Sequence, residues 1–448
     1  MIPVPPRSEG LSGTLPAIPG ENFRAGWLRD WRSAQNSDFV RKVMETYATR
    51  IFLMGIALVT TVVVARLLGP QGRGYYAVAA AIGALGVQFG TLGLHTSNAY
   101  LVAKQPQSLA FLTGNALVVS FGFGGLIALL LAVVFAVFPH VLGIRGAILL
   151  LALLWIPFGL AYTLLQNLML GVQDIRGYNL AEISTKVLPL VLIGFFVLLR
   201  HVGVAKFFFT TVVALVVTCL WVMRRLQQRF SGRPQVSAAV FRDSIRYAVK
   251  AYLAASFCFL VLRADLLMVQ HMLGPEQAGY YSIASTMADY ASVLATVIGT
   301  ILFPKLSALT DLGAKLDLTK KATAGTTLIL LPFLVMASLL ARPAVRLLFG
   351  SAFLPASLSF VLLMPGMLFL GIHMVAVQLL NSIGYPKSVV IIWGLCSLFN
   401  VMVNLWAIPH YGIAGASVVS SISYFLAFAF VMWVIYRTSR GNAILENR

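Results

Sequence analysis

The sequence predicts an all-α polytopic membrane protein, with about twelve transmembrane helices in two pseudo-symmetric six-helix lobes around a central cavity. Three observations predict it. First, the 448 residues are 59% hydrophobic and only 10% charged, with a mean hydropathy of +0.88. No soluble domain hides that much apolar surface behind so few charges. Second, the apolar runs are long and unbroken, whereas a transmembrane barrel would alternate polar and apolar residues. Third, Leu68-Gly69-Pro70-Gln71-Gly72-Arg73-Gly74-Tyr75-Tyr76 returns as Leu273-Gly274-Pro275-Glu276-Gln277-Ala278-Gly279-Tyr280-Tyr281, 205 positions later and without a gap. A Gly-Pro pair cannot continue a helix, so each copy reads as a tight hairpin between two spans. Its tyrosines stand where amphipathic rings favour the membrane–water interface.

Taken in order, the chain opens with a basic tail, residues 1–46, without the apolar core of a signal peptide. Within it, Phe23 to Met44 reads either as a surface-lying amphipathic helix or as a solvated basic segment. An N-lobe, 47–223, holds spans at about 47–67, 75–102, 109–138, 146–170, 179–199 and 204–223. A polar, basic connector, 224–246, separates it from a C-lobe, 247–436. The C-lobe spans run at about 247–272, 278–303, 321–341, 354–382, 387–408 and 412–436, before a tail at 437–448. Each span has roughly the 20 apolar residues that a bilayer crossing needs. Pro157, Pro189, Pro332 and Pro365 fall inside spans and are the expected kinks. His201-Val202-Gly203 opens the sixth span and His410-Tyr411-Gly412 the twelfth, 209 positions apart. With an even number of spans per half, the repeats run parallel, about an axis along the membrane normal.

The net charge of +19 reads as topogenic Lys and Arg rather than as a nucleic-acid surface. Placing the N-terminus in the cytoplasm puts 22 cations in inner segments and 7 in outer loops, Arg66 and Arg73 among the latter. Both termini are therefore expected in the cytoplasm. The three cysteines sit far apart inside apolar runs, and the six histidines lack zinc-ligand spacing. No Walker A loop and no paired exposed carboxylates appear, so neither an ATPase nor an enzyme is expected.

At these residues the chain resembles the polysaccharide-transport branch, including the Wzx-type flippases for O-antigen and capsule precursors, of the multidrug/oligosaccharidyl-lipid/polysaccharide exporter superfamily. The features that carry the resemblance are the doubled Leu-Gly-Pro-x-x-x-Gly-Tyr-Tyr hairpin, the two six-span lobes and Arg263-Ala264-Asp265 in the seventh span. It covers about residues 40–436. It implies export of an undecaprenyl-diphosphate-linked oligosaccharide for O-antigen, capsule or exopolysaccharide assembly. The partners so implied are that lipid-linked substrate, the membrane lipids, and a polysaccharide polymerase and glycosyltransferases. A drug/cation antiporter of the same superfamily, a membrane polymerase or ligase, and an assembly scaffold are the alternatives.

Four cations fall within the spans: Arg50, Lys186, Lys250 and Arg263. An ionisable group at membrane depth faces a polar cavity or a partner. Arg50, Lys186 and Lys250 enter from the cytoplasmic side and form a candidate cationic mouth for a diphosphate. Snorkelling of Arg50 and Lys250 to the headgroups, and an intrahelical pair of Lys186 with Glu182, are the plainer readings. The span acids are Glu182, Asp265 and Asp289. Arg263 and Asp265 point about 200° apart on a straight helix, so Arg263 is expected to turn to a neighbouring helix, with Asp289 as its partner. Asp265 or Asp289 could take a coupling H+ or Na+; no other cofactor is expected. Gln166, Asn167, Gln378 and Asn381 are candidate glycan contacts, or else interhelical polar glue.

Overall fold

The computed structural model describes residues 38–384 and 387–446, with side chains from Phe52 onward except at 247, 250, 251 and from 440. The basic tail around Trp27 and Trp31 lies outside the described residues. So do the side chains of Arg50 and Lys250. The chain divides into a unit Met1–Phe52 and a compact unit Leu53–Arg448. The cavities and interhelical contacts all lie within the second.

The described secondary structure is helical throughout. Helices α1 (Asp38–Gly90), α2 (Leu94–Lys104), α3 (Leu109–Val118), α4 (Gly124–Val137), α5 (Ala147–Gly171), α6 (Ile175–Leu198) and α7 (Val204–Gln227) come before the connector. After it come α8 (Ala238–Leu273), α9 (Pro275–Ala308), α10 (Leu312–Leu339), α11 (Ala341–Phe349), α12 (Ala356–Ser382) and α13 (Lys387–Glu446). Ten helical stretches among the described residues are long and apolar enough to cross a membrane. Two of them, within α1 and α13, each break once, at Gly69 and at Gly412. The ten therefore make twelve spans. α1 holds the first and the start of the second, which α2 completes; α3 and α4 form the third. The helices α5 to α10 are the fourth to ninth, α12 is the tenth, and α13 holds the last two.

The breaks have a local cause. Gly69 has φ 65° and Gly274 φ 88°, a left-handed conformation that costs a residue with a Cβ but not glycine. Pro70 and Pro275 then start the next helix, where a missing N–H costs nothing. Pro157, Pro189, Pro332 and Pro365 all lie within continuous helices.

Helix ends depart from the expected spans where polar residues extend a helix beyond the apolar run. The seventh span begins at Ala238, capped by the Ser237 side chain, which accepts from the N–H of Val240. Only residues 228–237 of the basic connector are then non-helical. The twelfth span continues past 436 into the tail. An amphipathic helix, α11, fills what reads in sequence as the loop between the ninth and tenth spans.

Packing repeats between the halves. The fourth span packs on the second and sixth, and the tenth on the eighth and twelfth. Ile156, Leu160, Leu164 and Leu165 of the fourth span are fully buried, so it is an interior helix. The third and ninth spans show the opposite pattern, with Leu129, Val137, Leu328 and Leu339 more than 60% exposed. Apolar side chains exposed in this way face lipid.

Candidate functional site

Three cavities lined by described residues open among the spans. The first, about 360 Å³, lies in the N-lobe between the second, fourth, fifth and sixth spans, with Phe259 of the seventh at its edge. Gln88, His95, Trp155, Tyr162 and Lys186 line it. The second, about 170 Å³, lies nearer the Gly69–Gly74 hairpin and is lined by Thr60, Arg73, Tyr76, Trp155, Lys186 and Thr211. Lys186 belongs to both, and its side chain is accessible. No lining residue of either cavity is acidic.

Arg73 is a correction. Sequence reasoning places it in an exposed loop. It is instead 7% exposed, its guanidinium 5.7 Å from the Tyr76 ring centroid, and its Nε has no hydrogen-bond partner. The hairpin folds inward rather than out, and carries the arginine with it. The only hint in the sequence is that Arg73 stands between two glycines whose small size permits such close packing. Burying a guanidinium without a carboxylate is costly.

The third cavity, about 260 Å³, lies in the C-lobe between the seventh, eighth, tenth and eleventh spans. Thr296, Thr300, His373, Gln378, Asn381 and Trp393 line it. Of the four candidate glycan contacts, Gln378 and Asn381 thus reach a cavity and the other two do not. Gln166 is buried and donates to the carbonyl of Tyr178; Asn167 donates to the carbonyl of Thr163 one turn back. The amides of that pair are engaged by nearby backbone.

Arg263 pairs with Asp289 of the eighth span at 2.8 Å. Asp265 points away from both and is 3% exposed. It accepts from the hydroxyl of Tyr281, from Ser420 Oγ at 2.9 Å and from the N–H of Leu266 at 2.7 Å. Neither aspartate lines one of the three cavities, nor does Glu182, one turn before Lys186.

The two hairpins meet. A Cβ on Gly74 would collide with the carbonyl of Pro275, and a Cβ on Gly279 with the carbonyl of Pro70. The same two contacts are made reciprocally across the pseudo-twofold axis, and they close this end of the cleft. Two further links flank them. Arg66 donates Nε to Leu348 O at 2.8 Å and Nη2 to Leu347 O, capping the C-terminus of α11. His271, 205 positions after Arg66, meets the carbonyl of Val141, while Gln270 Nε2 donates to Leu142 O at 2.9 Å.

Toward the connector end, the seventh span leans on the N-lobe. Tyr252 donates to the carbonyl of Phe89 at 2.7 Å, and a Cβ on Gly93 would press on Ala248 and Tyr252. The connector is bolted to the third span, where Asn115 donates to Ser237 O and accepts from Ser237 N. Between the fourth and fifth spans, Arg225 and Arg229 pair with Asp174 at 2.6 and 3.1 Å. The Arg225 hydrogen bond holds the Asp174 carboxyl below the usual carboxylate range, against the opposing effect of burial.

A family model described as "Polysaccharide biosynthesis protein" matches residues 63–358. Among curated proteins, an uncharacterized membrane protein of Methanocaldococcus jannaschii is 23% identical over 253 residues, 55% of this chain and 49% of that protein. A second from the same organism is 25% identical over 195 residues, 42% of this chain and 46% of that protein. The chain spans about half the length of the curated relatives it matches. Among solved structures, the lipid II flippase MurJ in an inward closed conformation aligns with a TM-score of 0.68 at 15% identity, covering 88% of this chain and 87% of that one. An inward-facing multidrug resistance MATE family transporter of the MOP superfamily aligns at 0.69 and 16% identity, covering 86% and 94%. A MOP superfamily transporter from Pyrococcus furiosus, described as having a binding pocket of reverse polarity, aligns at 0.63 and 16% identity, covering 87% and 94%. At these identities the likeness is one of fold, the twelve-helix, two-lobe fold.

Proposed function

Because this chain belongs to the polysaccharide biosynthesis protein family, in the polysaccharide-transport branch of the exporter superfamily, we propose that it is a flippase for a lipid-linked oligosaccharide. The cargo in this reading is an undecaprenyl-diphosphate-linked oligosaccharide, moved from the cytoplasmic to the outer leaflet for surface polysaccharide assembly. The excess of Lys and Arg at the connector end supports this orientation. The hairpin end, where the two lobes touch, is then the outer end in this reading.

The observation that carries the proposal is the pair of N-lobe cavities that share Lys186, add Arg73 and contain no acid. A diphosphate leaving the leaflet surface loses its water, and unpaired burial costs several kcal/mol per charge. Lys186 supplies a point charge at mid-membrane, and Arg73 a planar fork with an unsatisfied N–H at the closed end. Arg50 and Lys250 are the further span cations that the sequence offers to the diphosphate on the cytoplasmic side. A drug/cation antiporter calls for the opposite sign of cavity. In the C-lobe, Asp265 with Tyr281 and Ser420 is the site we assign to a coupling H+ or Na+.

Complementation of a deletion strain tests this, with surface polysaccharide scored against the amount of protein in the membrane. Neutralising one of Lys186, Arg73, Arg50 or Lys250 with Gln weakens export, and neutralising Lys186 and Arg73 together abolishes it. Expression is largely kept for Lys186→Gln, whose side chain is accessible, while Arg73→Gln is judged against its own amount in the membrane because that side chain is buried. Normal export from a stable Lys186→Gln, Arg73→Gln double variant refutes the anion-binding reading. Mass spectrometry of accumulated lipid-linked intermediates, resolved by leaflet, names the glycan.

A further inference from the structure

The C-lobe cavity is the repeat-related counterpart of the larger N-lobe cavity, and its chemistry has been replaced. Thr91 and His95 line the N-lobe cavity; 205 positions on, Thr296 and Thr300 line the C-lobe one. The fourth and tenth spans contribute to each wall in turn, and so do the fifth and eleventh. Lys186 of the fifth span and Trp393 of the eleventh are 207 positions apart, inside the 205 to 209 by which the two halves are offset. Where one lobe carries a cation, the other carries an indole.

Within the apolar wall formed by Ala254, Ala255, Val377 and Val389, the polar groups of the C-lobe cavity offer acceptors. Thr296 and Thr300 donate their hydroxyl protons to backbone carbonyls of the same helix, at 3.0 and 2.8 Å. Gln378 Nε2 is taken by the carbonyl of Met374, and Asn381 Nδ2 by Gln378 Oε1, each at 3.2 Å. Asn381 Oδ1 and His373 Nδ1 have no hydrogen-bond partner. The edge of the His373 ring stands against Trp393, with centroids 4.9 Å apart at 80°, so the indole is fixed in place.

Resting on the flippase reading, we propose that this cavity is a subsite for the neutral sugar next to the diphosphate, a hexose or N-acetylhexosamine. A diphosphate brings charge and only acceptors, and it meets no Lys or Arg among the lining residues. A sugar ring offers several O–H or N–H donors and an apolar face, which match the oxygens of Gln378 and the two threonines and the apolar wall to which Trp393 contributes. The cargo is then divided between the lobes, its diphosphate in the N-lobe and its first sugar in the C-lobe. A carrier lipid without a sugar engages only one of them.

The test uses the full-length protein in nanodiscs and two probes, undecaprenyl diphosphate and undecaprenyl-diphosphoryl-N-acetylglucosamine. The unmodified protein is expected to bind the glycosylated probe about tenfold or more tightly. An Asn381→Leu, Trp393→Leu variant brings the two affinities together and leaves that for undecaprenyl diphosphate unchanged, which also reports that it is folded. A milder Gln378→Met, Asn381→Leu variant reduces the preference without loss of the aromatic packing. Lys186→Gln weakens both probes alike and keeps their ratio. The proposal is overturned if the unmodified protein shows no preference, if both C-lobe variants keep the full preference, or if they weaken both probes equally. Failure of the unmodified protein to bind either probe refutes the flippase reading itself, and the subsite with it.

Discussion

Replacing Gly74 or Gly279 with alanine should open the outer end of the cleft. In the closed arrangement the added methyl has nowhere to go, because the atom in its path is a backbone carbonyl of the opposite hairpin. Once the hairpins separate, that carbonyl is withdrawn from the methyl's path. The cost therefore falls on the closed state alone. Overpacking a close contact costs about 1–3 kcal/mol, which is about a 5- to 150-fold shift in the ratio of closed to open. The two sites share one contact region, so the double variant adds less than twice that. The shift is read by labelling a Thr60→Cys reporter, which lines the cavity nearest the hairpins. The background has its three native cysteines replaced, and the reagent is a membrane-impermeant maleimide applied to intact spheroplasts. Gly74→Ala and Gly279→Ala should label at least about fivefold faster than the parent, the lower bound of that shift. Gly194→Ala, where a Cβ meets nothing within 4 Å, should label at the parent rate. Hairpin variants that label and export like the parent would show that the contact is no gate.

Three other outcomes are expected. A cysteine at Gln71 should react from outside intact spheroplasts and one at Ser231 only after permeabilisation; the reverse pattern overturns the direction of transport. Asp265→Asn should keep the protein folded, since Asn still accepts from Tyr281 and Ser420, yet remove the dependence of transport on the ion gradient; gradient-dependent export by the variant would exclude this site. Asp174→Asn should lower thermal stability by about 1 kcal/mol, the upper end for a partly exposed pair, as its geometry is close to bidentate. Because its folded-state carboxyl titrates below the usual range, the stability it contributes is present above the ordinary carboxylate pKa. It is lost as pH falls through the folded value, so the difference between parent and Asp174→Asn should vanish in acid.

The doubled hairpin made the repeat and the parallel lobes legible, because a left-handed glycine followed by proline constrains the backbone whatever surrounds it. The pairing of Arg263 with Asp289 was legible for a similar reason, since helical phase separates Arg263 from Asp265. Arg73 was not, because charge counting assigns a loop residue to water and cannot see a hairpin turned inward. Gln166 and Gln378 show the same limit. Both are amides on spans four and ten, yet one is satisfied by the carbonyl of Tyr178 and the other lines a cavity. Which of these occurs depends on neighbouring backbone that composition does not encode. Helix ends were displaced for a further reason: hydropathy marks where lipid ends, whereas Ser237 caps its helix in the polar region beyond.

The repeat also says how two similar lobes acquire different tasks. In the N-lobe, Tyr76 meets Thr211 at 2.9 Å, and Thr60 lines the adjoining cavity. In the C-lobe, Tyr281 and Ser420 both donate to Asp265. Tyr76 and Tyr281 are 205 positions apart, as are Thr60 and Asp265, and Thr211 and Ser420 are 209 apart. One scaffold of spans one, two and six thus recurs as spans seven, eight and twelve, with a hydroxyl replaced by a carboxyl at a single place. The N-lobe version leaves its cavity free of acid, as an anion site requires. A buried carboxyl is expensive unless it is protonated or paired, and this is the carboxyl to which we assign the coupling cation. Its partner Tyr281 stands just after Gly279, the glycine that touches the other lobe. In the proposed mechanism the acidic site and the contact between the hairpins would both act on the same stretch of the eighth span, Gly279 to Tyr281.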